Sequence, residues 1–105
     1  MNFIMEFYIP PTRLTFDLAA QLETFADHLG AKLNFKHHTG TLTFTVSPPY
    51  HFEVITKMKE CEAIPTAVRG EDVKSSFRAF FGTDVPIDFV KMEIYCTLCE
   101  EGRIK

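Results

Sequence analysis

The sequence predicts an α+β domain, an antiparallel sheet with two helices packed on one of its faces. Three observations predict it. Residues 2–9 read as a strand with Phe3, Met5, Phe7 and Ile9 on one face and a second face that is also largely apolar, and residues 33–46 alternate between apolar and polar about a turn, the period of a half-buried hairpin. Between Thr15 and Gly30 apolar residues return instead at helical spacing. The alternating and helical stretches are interleaved over 105 residues with no repeat and no low-complexity linker. That length holds one core and not two, so residues 1–105 are expected to form a single domain, with a radius of gyration of roughly 13 Å.

Each element has its own justification. Phe3, Met5, Phe7 and Ile9 share one side of the first strand and Ile4, Glu6 and Tyr8 the other; Pro10-Pro11 ends it, since proline has no N–H for a ladder. A helix follows, capped by Thr12 or Thr15, favoured by Asp17 at its positive end and stopped at Gly30. Leu18, Leu22, Phe25 and Leu29 form its buried stripe. Asp17, Gln21, Thr24 and His28 take the opposite side, with Glu23 and Asp27 beside them. No Lys or Arg occurs between Arg13 and Lys32, so this helix presents an acidic face.

A β-hairpin comes next. Leu33, Phe35 and His37 alternate with Asn34, Lys36 and His38; after Thr39-Gly40, Leu42, Phe44 and Val46 alternate with Thr41, Thr43 and Thr45. Glycine supplies the positive φ of the turn. Residues 50–59 read as a strand with Tyr50, Phe52, Val54 and Met58 on one face; the alternative is a helix capped by Ser47, with Val54, Ile55, Met58 and Cys61 aligned. Residues 61–70 read as a loop around Pro65 and Gly70. Glu71-Asp72 open a second helix with Val73, Phe77, Phe80 and Phe81 inward and Gly82 as its stop. After Pro86 a last strand runs from Ile87 to Leu98, with Val90, Met92, Ile94, Cys96 and Leu98 inward and Phe89, Lys91, Glu93, Tyr95 and Thr97 outward. The order β-α-β-β-(β or α)-α-β corresponds to a ferredoxin-like plait or a close variant, a fold that by itself implies no function.

Bulk composition bounds the partners. Eleven basic and fourteen acidic side chains give −3, the wrong sign for a protein that neutralises a phosphate backbone. Nucleic acid is further disfavoured because the hairpin offers threonines where base-stacking rings would be wanted, and because no RNP1 pattern occurs. No apolar run reaches the 18 or so residues of a membrane span. The N-terminal residues lack a basic n-region and read as a strand rather than a signal peptide, so the chain is expected to be complete. Three cysteines, an odd number, point to a reducing, cytoplasmic compartment rather than a disulfide framework.

No motif marks a reaction or a cofactor. Cys96-Thr-Leu-Cys99 has zinc-ligand spacing, but a tetrahedral site needs two more ligands, and only Cys61 and a histidine such as His51 are available. Structural, half-buried thiols are the expectation, and the carboxylates Glu100 and Glu101 argue against thiolate redox chemistry. His37 and His38 are adjacent on a strand, point to opposite faces and cannot chelate one ion together. Residues 68–78 could cradle an anion between Arg69 and Arg78, yet Glu71 and Asp72 stand in the first turn and would repel it. Ser75, Ser76 and Cys61 carry no positional signature of a nucleophile, so no catalytic residue is assigned.

The remaining reading concerns surface. Helices on one side leave the reverse of the sheet exposed, with Tyr8, Thr43, Phe89 and Tyr95 on it, an aromatic and threonine mixture typical of interfaces. The expectation is a non-enzymatic protein-binding domain, of inhibitor, immunity or adaptor type, with Asp17, Glu23 and Asp27 as a second contact. The sheet could also self-associate into a dimer. The alternative is a small metal- or ligand-binding domain, regulatory or catalytic, using Cys61, His51, Cys96 and Cys99.

Overall fold

Strands form where the alternation is cleanest. In a computed structural model, which describes residues 2–71 and 76–104, β1 (Phe3–Tyr8), β2 (Lys32–Lys36) and β3 (Thr41–Val46) occupy the expected stretches. β1 lies between β3 and a fourth strand, β4 (Ile64–Gly70), and the sheet order is β2-β3-β1-β4, antiparallel throughout. Phe3, Met5 and Phe7 are fully buried, as are Leu42 and Phe44 across from them. Gly40 closes the hairpin at φ +75°, and a Cβ there would run into the carbonyl of Ile9, whose N–H donates to the Gly40 carbonyl at 2.9 Å.

Helix α1 (Phe16–Leu29) is capped by Thr15, whose hydroxyl accepts from the Leu18 amide at 3.2 Å, and ends at Gly30 in the left-handed region, as the sequence predicts. Ala19, Leu22 and Ala26 are its buried residues; Leu18, Phe25 and Leu29 are half-buried at the edge of the core.

Three segments differ from expectation. Residues 50–59, read as a strand, are helix α2 (His51–Glu60), because His51, Val54, Ile55 and Met58 fall on one helical face and all are buried. Residues 61–70, read as a loop, contain β4. Pro65 is tolerated there because β4 is an edge strand with a register shift opposite Glu6 and Phe7, where one ladder bond is already lost. The stretch read as a final strand is helix α4 (Phe89–Glu100), nucleated by Asp88, whose carboxylate accepts from the Lys91 amide at 2.7 Å and from its Nζ at 2.9 Å. Met92, Tyr95, Cys96 and Cys99 are buried at helical spacing, so the inside and outside assigned by alternation are partly exchanged. Of the helix expected from Glu71, Asp72 and Val73 lie outside the described residues; a short α3 (Phe77–Phe81) is observed, capped by Ser76.

The fold class is therefore α+β, with a four-stranded antiparallel sheet and four helices among the described residues. Buried residues of α1, α2 and α4 join Phe3, Met5, Phe7, Leu42, Phe44 and Val68 in one core. Those strand residues all point to the same side of the pleat, so the three helices cover that side. The Cα radius of gyration is 13.2 Å.

Candidate interaction surface

The other side of the sheet has three cross-strand rows, fixed by the register. Lys32, Thr45, Ile4 and Arg69 form the first; Asn34, Thr43, Glu6 and Ala67 the second; Lys36, Thr41, Tyr8 and Ile64 the third. Directly opposed residues share a face, so each row lies on the side away from the core. The centre is half-buried, with Ile4, Tyr8, Thr41, Thr43 and Thr45, while Lys32, Lys36, Ala67, Arg69 and Ile64 are exposed. A shallow cavity of about 370 Å³ runs over it, lined by Ile4, Glu6, Thr43, Ala67, Val68, Arg69 and Ser76. The Glu6 carboxylate accepts from the Thr66 hydroxyl at 2.9 Å, across the bulge. Lys32, Lys36 and Arg69 have no carboxylate partner among the described residues.

Tyr8 and Thr43 lie on the face away from the core, with no described element over them. Phe89 and Tyr95 do not, and their assignment to the sheet is corrected. Both belong to α4, on the covered side. Phe89 is half-buried and stacks on Phe7 with centroids 6.2 Å apart. Tyr95 has no exposed surface and packs against Phe77 and Phe80. A strand reading put them outside; the helical turn carries them in. Asp17, Glu23 and Asp27 are all exposed on α1, on the helical layer and away from the sheet's open side.

The four residues with metal-ligand chemistry are distributed over α2 and α4. Cys61 is the half-buried C-cap of α2, whereas Cys96 and Cys99 are buried along α4. Burial pushes the Cys96 thiol up, assisted by Cys99, Glu100 and Glu93, and burial raises Cys99 and Cys61 as well. Such thiols are protonated and poorly nucleophilic. Among the described residues no group of three or more His, Cys, Asp or Glu side chains is arranged to hold a metal ion.

His51 is a core residue. It is fully buried between the rings of Phe3, 4.9 Å away, and Phe52, 4.0 Å away. Neither ring nitrogen makes a hydrogen bond among the described residues, although Nε2 lies 3.5 Å from the Glu100 carboxylate. Burial lowers its pKa, with the charge of Glu93 opposing. Nothing local in the sequence distinguishes this buried imidazole from the exposed His37 and His38 of the hairpin turn.

Reasoning from the sequence missed the charged frame of the open face. Lys32 and Lys36 were legible, because hairpin alternation places them with Thr41, Thr43 and Thr45; Ala67 and Arg69 were not, since β4 read as a loop. It also missed the outer side of α4, where Val90 and Ile94 are exposed beside a cavity of about 330 Å³ with Glu93 and Glu101 at its rim. No described helix is long and apolar enough to cross a membrane. Comparison with family models, curated proteins and solved structures finds no match to this chain.

Proposed function

We propose that the chain is a non-enzymatic protein-binding domain, of inhibitor, immunity or adaptor type, that docks a partner on the uncovered side of its sheet. One observation carries this reading: a continuous, half-buried patch centred on Ile4, Tyr8 and Thr43, with no described element of the chain over it. Threonine and tyrosine lose little rotamer freedom on contact, and the cations stand on the edge strands with Glu6 as the one charged residue of the three rows on β1. Asp17, Glu23 and Asp27 form a separate contact on α1; because α1 belongs to the opposite layer, a flat partner cannot touch both surfaces at once.

The test substitutes Thr43→Lys, which places a long cation in the middle of the patch without disturbing the core. Complexes recovered from the native host with wild-type protein should be lost with Thr43→Lys and retained with Ile94→Lys, a control on the outer side of α4. Sedimentation of the purified chain separates self-association from binding to another protein. Complexes and oligomeric state unchanged by Thr43→Lys would remove the reading.

A further inference from the structure

We infer that the partner surface that docks on the open sheet face is an acidic protein surface. The inference rests on the reading just given and adds the partner's chemistry. The chain's charge is not spread evenly. Among the described residues the open face carries three cations, Lys32, Lys36 and Arg69, against two carboxylates, Glu6 and Glu71, whose N–H donates to the Asn2 carbonyl at 2.7 Å in the next row, a local balance of +1 in a chain of net −3. The other eight cations and twelve carboxylates therefore sum to −4. The face is the positive pole of an otherwise acidic molecule.

Geometry strengthens the asymmetry. Glu6 is engaged by Thr66, so its carboxylate is partly satisfied within the sheet. The three cations have no carboxylate partner among the described residues and stand at the edge strands, β2 and β4, framing the apolar and threonine centre. Cations at the rim of such a face attract carboxylates from a partner, steer its approach and set its orientation.

Two other occupants fit less well. A second copy docked face to face through a two-fold axis would bring net positive against net positive, with the two carboxylates Glu6 and Glu71 to offset three cations on each side. A nucleic acid needs a contiguous basic track and rings on which bases stack. Here Lys32 and Arg69 are separated by the full width of the four-stranded sheet, and Tyr8 is the one ring in the three rows.

The experiment maps amide shifts of the isotopically labelled chain by NMR with three probes. These are a synthetic peptide of alternating leucine and glutamate, the same peptide with lysine for glutamate, and oligothymidylate of matched charge. The acidic peptide should perturb β1, β3, Lys32, Lys36 and Arg69, with affinity reduced about tenfold in Lys32→Glu/Arg69→Glu and reduced by added salt. The lysine peptide should leave this face unperturbed. No shifts on the face with the acidic peptide, or shifts that persist undiminished in the double variant, would overturn the inference. Stronger binding of oligothymidylate at the same residues would overturn it in favour of nucleic acid, and a dimer dissolved by Thr43→Lys in favour of a second copy. The two proposals fail separately: host complexes that resist Thr43→Lys remove the docking face itself, whereas complexes lost with Thr43→Lys but kept by Lys32→Glu/Arg69→Glu remove only the acidic partner.

Discussion

Two tyrosines show how a residue's meaning depends on the element that carries it. Tyr8 projects from the centre of the sheet into the open row, where cross-strand contact with Thr41 contributes a few tenths of a kcal/mol to about 1 kcal/mol. Tyr95 is wholly enclosed beside Phe77 and Phe80. Tyr95→Ala should cost about 3–5 kcal/mol in denaturant unfolding, the range for deleting a large buried ring, whereas Tyr8→Ala should cost roughly 1 kcal/mol or less. Equal costs would contradict the placement of either ring.

His51 gives the molecule a specific response to pH. Its folded pKa lies below the ordinary 6.5, so the unfolded chain binds more protons in the window between the two values. Stability therefore rises with pH through that window, is fully present above about pH 6.5, and is lost as pH falls through the folded value. Glu93 and Glu100 face the ring from α4 and would offset part of the cost of protonation. Urea midpoints taken from about pH 7 down to about pH 5 should fall, and His51→Leu should flatten that dependence. A slope unchanged by His51→Leu would place the titrating group elsewhere.

Among the elements, α1 is the most independently specified. Thr15→Ala removes the hydroxyl that accepts from the Leu18 amide and should cost about 1 kcal/mol, while Thr15→Asp should restore most of it. Thermal unfolding of the two variants checks this. The same cap was readable in the sequence, because threonine, a first-turn aspartate and a terminal glycine agree with the apolar period. β1 and the hairpin were legible for a similar reason: strict alternation and a glycine turn leave one solution.

The remaining segments were ambiguous for physical reasons. In α4 the run Phe-Val-Lys-Met-Glu-Ile-Tyr-Cys is apolar on nearly every side, so Val90 and Ile94 outside compete with Met92 and Tyr95 inside and period two fits as well as 3.6. Asp88 decides for the helix through its cap, and a tertiary slot beside β4 and α2 receives it. In β4, Pro65 concealed an edge strand, whose tolerance of proline depends on a neighbour that no local pattern reveals. The candidate surface inherits both outcomes: Tyr8, Thr43 and the lysines of β2 follow from alternation, Arg69 and Ala67 from long-range pairing alone.

Considered as a whole, the molecule is a sheet with unequal sides. Three helices bury one face in a single core, and the reverse carries Lys32, Lys36 and Arg69 around a centre that no described element covers. The most direct measurement of this arrangement is maleimide labelling of Thr43→Cys in dilute purified protein, resolved by mass spectrometry from Cys61, Cys96 and Cys99. An open face predicts that position 43 reacts at a rate independent of denaturant below the unfolding transition, while the buried Cys96 and Cys99 react only as the chain unfolds. Protection of position 43 that is lifted only together with Cys96 would mean the face is enclosed, and would contradict the account.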